Sequence, residues 1–337
     1  MSGPGVWAGL AESAFLADID LPGRDLMPRI AKLVRGFAVG FGIGMVAATA
    51  CLVLVLVPYT LATGRGGEGI AGLFAVALTL RDSPAGGLGI TIERLVYATL
   101  TNGAFFVAFV AAATVFTGRQ LPACVTVAGK VRWRLLAAGL ALSTLVLGPL
   151  IAGSRLLSAE ATAVPLLAIS PHGAGRIAYA LSTLLLIPSA AAEELIFRGW
   201  LVRQTAAFSR RPAILVGASA VIFSALHLDA SWDGFITRAL MGAGFAYMTL
   251  RLGGIEFSTG AHATNNILIV LFIQPLTPQS PGAASDVSAG SLLADAALIG
   301  GYVLITEAVV RVAPLRRWAG VRLEELTRPV PKVLPAR

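Results

Sequence analysis

The sequence predicts an all-α, polytopic membrane protein with about eight transmembrane helices. Three observations carry this reading: composition, charge-free runs and the placement of bases. Of 337 residues, 56% are hydrophobic and 13% charged, against about 25% charged in a soluble domain. Several uncharged runs exceed the ~18–20 residues that a spanning helix needs. Lys and Arg concentrate in alternate connections, as the topology of a multi-pass protein demands.

The gaps between charges place spans near 36–57, 95–118, 135–154, 177–203, 212–228, 235–250, 254–273 and 292–310. The run 70-IAGLFAVALTL-80 is too short to cross and reads as interfacial or re-entrant. Arg24, Arg29, Lys32 and Arg35 precede the first span, and Arg119, Lys130, Arg132 and Arg134 separate the second from the third. Arg203, Arg210 and Arg211 follow the fourth, Arg251 the sixth, and Arg311, Arg316, Arg317 and Arg322 the eighth. The connections at 229-DASWD-233 and 274–291 contain no base. Both termini are therefore expected in the cytoplasm, with the protein integral to the cell membrane.

Within the first span, Gly36, Gly40 and Gly44 repeat every fourth residue and predict a close helix–helix approach. Residues 1–35 read as a cytoplasmic segment without a cleavable signal peptide, because bases and acids precede the first apolar run. Residues 36–176 read as an N-terminal transmembrane region of about three spans. Residues 311–337 read as a basic tail solvated near anionic headgroups. The net charge of +8 follows from these loops and does not point to nucleic acid. Cys51 and Cys124, both beside apolar residues, are too few for a disulfide framework.

The chemistry begins at 191-AAEELIFRGW-200. An intramembrane acid or base costs about 2.5–3.5 kcal/mol on insertion scales, so Glu193, Glu194 and Arg198 together represent roughly 8–10 kcal/mol before pairing. Glu194 and Arg198 share a helix face at i, i+4. Glu193 is then left over, and an unbalanced intramembrane carboxylate is a functional candidate. Farther along, 223-FSALH-227 and 262-HATNN-266 supply Phe223, His227, His262 and Asn266 from two other apolar helices. Helix rise places Glu193, His227 and His262 near the middle of a ~30 Å core. His172 stands in a Pro/Gly loop without such company, and Glu256, Asp295 and Glu307 read as isolated acids.

A carboxylate can take a proton from water while a histidine orients it. A second histidine and an amide can donate to the oxyanion of a tetrahedral intermediate. The set suits hydrolysis of an amide inside the membrane. The same groups also fit a proton-coupled transporter, although no inverted repeat is evident, or a non-catalytic immunity or scaffold protein. A serine mechanism is disfavoured because Ser219, in GASA, has no activating company, and no aspartate pair stands within the spans.

EExxxR at Glu193–Arg198, FxxxH at Phe223–His227 and HxxxN at His262–Asn266, in this order, resemble the CPBP family. That family comprises intramembrane proteases related to the type II CAAX prenyl endopeptidase, with bacterial Abi and bacteriocin-immunity proteins among them. The run 241-MGAGFAYMTLRLGGIEFSTGAHATNN-266 is similar to its glycine-rich approach to the third motif. The resemblance covers 177–273, which becomes the expected protease core, followed by a loop and last helix at 274–310. It implies Glu193 as general base, His227 holding the attacking water, and His262 with Asn266 at the oxyanion. Glu194, Arg198 and Phe223 would support them. The substrate implied is a peptide or membrane protein, with a lipid-modified one as the family precedent, reached from surrounding membrane lipid. The family is commonly labelled a metalloprotease, and Glu193, His227 and His262 are the candidate zinc ligands. HExxH is absent and Asn is a poor zinc ligand, so a metal-free mechanism is preferred.

Overall fold

The computed structural model describes residues 6–19, 26–62, 88–116, 121–157, 164–169, 173–227, 231–273 and 289–326. The expected interfacial run at 70–80, His172, most of the 274–291 connection and residues beyond 326 lie outside these. Among the described residues eight long helices follow one another: α1 (Leu26–Ala62), α2 (Leu88–Val115), α3 (Trp133–Leu157), α4 (Ala174–Ala206), α5 (Pro212–Ala225), α6 (Trp232–Leu252), α7 (Glu256–Phe272) and α8 (Ala289–Arg311). A short α9 (Ala313–Trp318) follows. Among the described residues there is no strand, only an isolated antiparallel bridge between Thr126 and Gly254. The protein is an all-α polytopic membrane protein, as the sequence predicts.

Among the described residues four segments are both long and apolar enough to cross a bilayer: Leu26–Val55, Trp133–Gly153, Ala174–Ala206 and Leu292–Arg311. Thr99–Val115 and Pro212–Ala225 are apolar but shorter. α6 and α7 are not apolar enough, because their polar residues face the protein interior rather than lipid. Helix ends also depart from the charge gaps. α1 starts ten residues before the predicted 36, since Arg29, Lys32 and Arg35 mark the membrane edge without ending the helix. α5 stops at Ala225, so His227 stands in the turn after it rather than inside the span.

Close backbone approach joins the helices. A Cβ on Gly36 would sit 3.3 Å from the Ala113 carbonyl oxygen, and one on Gly40 would sit 2.9 Å from that of Phe109. The four-residue glycine repeat is thus the seam between α1 and α2. Gly139 of α3 meets Gly260 of α7 in the same way, main chain against main chain. Small residues are what permit such contact where lipid gives no hydrophobic drive to association.

The segment 121–132 clamps α7 at its start. The Val127 amide donates to the Gly253 carbonyl at 3.0 Å and the Ile255 amide to that of Val125 at 2.9 Å. Arg132 grips Glu256 in a fork, Nε to Oε1 at 2.9 Å and Nη2 to Oε2 at 2.8 Å, and its Nη1 donates to the Leu252 carbonyl. Glu256, expected to be isolated, is therefore buried and paired, in the first turn of α7 where the helix dipole favours an acid. Glu307 accepts from Tyr247, Arg251 and Arg311. Asp295 accepts from Thr237 at 2.7 Å. These acids seemed alone only because their partners sit 56 or more residues away in sequence or on another turn.

The polar N-terminal segment is also folded in. Leu10, Phe15, Leu16 and Ile19 are buried in one core cluster with Trp200, Val202 and Leu250. Arg203 donates to the Phe15 carbonyl and pairs with Asp18. Arg210 donates to the carbonyls of Leu16 and Ile19 at 3.0 and 2.6 Å. Ser13 bonds the Leu250 carbonyl. Bases read as loop charges are therefore holding chain. The first part of the basic tail is likewise docked, with Ala319, Val321 and Glu325 buried.

The α3–α7 seam yields a stability prediction. Gly260→Ala drives a methyl into the Leu136 carbonyl and the Leu140 amide, and overpacking of this kind costs about 1–3 kcal/mol. Its thermal midpoint in detergent should fall. Gly103→Ala, which meets nothing within 4 Å, should leave the midpoint unchanged or slightly raised.

Candidate active site

The site is assembled from α4, α5, α6 and α7. α4 is composite: Ala174–Ser182 is α-helical, Thr183–Leu185 tightens to a 3₁₀ turn, and Leu186–Glu194 resumes the α-helix. Leu195–Leu201 then opens into a π-helix before the α-helix resumes at Val202. Such wide turns interrupt a helix at a local cost and frequently mark functional sites. Here the wide turn begins immediately after Glu194 and contains Arg198. Gly199 lies at its middle because a side chain there would strike the Cys124 carbonyl.

Glu194 and Arg198 are both wholly buried, with Nη1 donating to Oε1 at 2.8 Å. A buried charge needs its pair and further hydrogen bonds to be tolerated. Arg198 obtains them from the Gly242 carbonyl, 3.2 Å from Nη2. Its guanidinium also lies 4.4 Å from the ring centre of Phe223 and 5.2 Å from that of Phe245, within cation–π range. Gly242 has no side chain because a Cβ would press on Ala220, Phe223 and Arg198.

His262 joins the two carboxylates. Its Nδ1 lies 3.0 Å from Glu194 Oε1, and its Nε2 lies 3.7 Å from Glu193 Oε2. Since the ionised Glu194 can only accept, Nδ1 is the donor in this pair. The His262 ring stacks on Phe245 at 4.9 Å and meets Phe223 edge-on at 5.7 Å. Burial therefore differs across the pair of acids. The Glu194 side chain is fully enclosed, whereas that of Glu193 keeps 17% of its surface open.

His227 adjoins this group through Phe223. Their rings lie 4.6 Å apart, and the Phe223 carbonyl is 2.7 Å from His227 Nδ1. Nδ1 is thus occupied by backbone, which leaves Nε2 for other partners. Asn266 follows His262 by one turn of α7, and its side-chain oxygen accepts from the Asn265 amide at 3.3 Å. Six of the seven residues singled out from sequence, all but Asn266, are linked by ring, ion-pair or hydrogen-bond contacts. Phe245, Gly242 and Asn265 were missed. Phe245 and Gly242 could have been found from their helical spacing on one face of α6, within the glycine-rich run already noted.

The zinc site suggested by the resemblance does not fit this arrangement. Among the described residues no three His, Cys, Asp or Glu side chains are grouped to hold one ion.

Fold and site together define a helical membrane protein with a buried Glu/His centre. The family comparison makes the class specific: residues 175–268 match the family described as "Rce1-like: Type II CAAX prenyl endopeptidase Rce1-like". The resemblance read from the three motifs is borne out over that segment. A curated relative, "Uncharacterized protein YyaK" of Bacillus subtilis (strain 168), is 35% identical over 100 residues, 27% of this chain and 33% of that protein. The chain thus matches about a third of that relative's length. No solved structure matches.

The buried pair can be tested without any activity. Arg198→Met should destabilise the protein by about 3–5 kcal/mol, because it strands the Glu194 charge. Adding Glu194→Gln should recover part of that loss. Unfolding free energies of both single variants and the double variant measure the coupling.

Proposed function

We propose that the protein is an intramembrane endopeptidase that hydrolyses a peptide bond with water activated by Glu193. The observation that carries this reading is the unequal treatment of two adjacent glutamates. Glu194 is consumed by Arg198 and His262, while Glu193 is partly open and lies 3.7 Å from His262 Nε2. A base must hold a proton acceptor free for water, and Glu193 is the acid so placed.

In this mechanism Glu193 accepts a proton from the attacking water, and His227 holds that water from the α5 side. Attack on the scissile carbonyl carbon converts its oxygen to an oxyanion. His262 Nε2–H and the Asn266 amide donate to it. With Nδ1 bonded to Glu194, donation from Nε2 requires the imidazolium. One imidazolium and one guanidinium then balance the two carboxylates, which suits a site surrounded by lipid. Glu193 finally passes its proton to the leaving amine as the peptide C–N bond breaks. Arg198, Glu194 and Phe223 fix the positions of the others. No metal takes part in this mechanism, because a carboxylate that accepts the proton and an imidazole that holds the water are enough to activate it.

The substrate proposed is a peptide or the segment of a membrane protein, with a lipid-modified chain among the forms it accommodates. The match to a prenyl endopeptidase family supports this class.

Cleavage of a reporter substrate by the reconstituted protein tests the assignment. Glu193→Gln should lower turnover by about 10²–10⁴-fold while leaving the melting temperature intact. Asn266→Ala should lower it by roughly 10²–10³-fold with little change in KM. Undiminished cleavage by Glu193→Gln would sink the proposed base. A chelator should leave wild-type turnover unchanged, and its loss together with a released stoichiometric ion would replace the metal-free mechanism.

A further inference from the structure

The chain leaves the membrane at two adjacent places, and the structure locks them together. The span Trp133–Gly153 begins with Trp133 and the span Leu292–Arg311 ends at Arg311. Beyond Arg311 the backbone turns at Val312 in an extended conformation, and α9 then folds back on the bundle end. Ala319 and Val321 are buried in the cluster that includes Leu135, near the start of α3. Arg316 donates to the Val310 carbonyl at 2.9 Å, and Arg134 to that of Arg317 at 3.1 Å. Two span ends and α9 therefore share one level, at which the apolar spans give way to polar chain.

The exposed side chains at this level are of two kinds. Trp133 is 71% and Trp318 46% exposed. Indoles are enriched at headgroup depth because they are apolar rings with a polar edge. Beside them Lys130, Arg134 and Arg317 are exposed bases. Arg322, also exposed, is already engaged by Glu324 and Glu325 and adds little net charge. The unbalanced bases are held by a docked helix instead of a freely moving tail.

We infer that Lys130, Trp133, Arg134, Arg317 and Trp318 form a binding surface for anionic phospholipid headgroups. The bases pair with headgroup phosphate and the indoles sit among the glycerol and carbonyl groups. Charge complementarity selects the anionic lipid, and the paired span ends set its depth. Nothing in this inference depends on peptidase activity.

The test uses the full chain reconstituted in phosphatidylcholine bilayers containing a small fraction of brominated phosphatidylglycerol or brominated phosphatidylcholine. The protein has five tryptophans, so the emission difference between wild type and the Trp133→Phe/Trp318→Phe variant isolates the two indoles. Brominated phosphatidylglycerol should quench them at a mole fraction lower by roughly 10²-fold, since three bases each add about fivefold. Each base near the surface contributes about fivefold in lipid preference. Arg134→Gln/Arg317→Gln should therefore remove most of the selectivity, and Arg134→Lys/Arg317→Lys should retain it. Lys130→Gln, an exposed change that leaves α9 docked, should lower the preference by about fivefold. Equal quenching of the wild type by both lipids overturns the inference. So does full selectivity in the glutamine variants.

Discussion

A single buried ion pair organises the site. Glu194 and Arg198 could not remain charged in these surroundings alone, and several neighbours of the pair answer that need. The π-turn carries the guanidinium, Gly242 offers its carbonyl, and Phe223 and Phe245 give the cation two aromatic faces. The second consequence is chemical. With Glu194 committed to Arg198 and to His262 Nδ1, the imidazole is held with its other nitrogen towards Glu193. One carboxylate is thus committed to orientation, and its neighbour stays partly open. Deleting either charge of the pair would disturb the orientation of His262 as well as the stability of the fold.

The support for this arrangement comes substantially from outside the segment that matches the family. Arg132 fixes the first turn of α7 through Glu256, six residues before His262. Gly139 sets how closely α3 lies against the same helix. Cys124 lies against Gly199 on the far side of the π-turn from the charges. The helices that carry Glu193 and His262, α4 and α7, are therefore braced by residues 121–140. An α-helix resists bending more than it resists sliding, and a bidentate ion pair at one end with a glycine seam along the side opposes sliding.

Much of this was legible in the sequence, and the rest was hidden for definable reasons. The all-helical membrane class followed from composition, and the α1–α2 seam from glycines at four-residue intervals. Glu193, Glu194, Arg198, His227 and His262 stood out because ionisable groups are rare in apolar helices. The ends of α1 and α5 were misplaced since charge reports where lipid ends, which need not be where hydrogen bonding ends. Glu256 seemed solitary because Arg132 lies 124 residues earlier. Phe245 could not be told from ordinary packing, as one more apolar residue in an apolar helix carries no mark of facing an imidazole. The π-turn has no signature in residue type. The N-terminal segment reads only as a cytoplasmic stretch because its acids and bases hide four apolar residues of the core.

That N-terminal segment has a consequence for biosynthesis. Phe15 and Leu16 emerge early from the ribosome, but the groove that receives them is built from Trp200, Arg203, Arg210 and Leu250. Most of the spans must be threaded into the bilayer before that surface exists. Until then the segment has to wait on the side where it began, available to chaperones or proteases. Its docking is thus a late closing step, in which arriving arginines capture carbonyls made before the spans, and this earlier segment records that the later parts are in place.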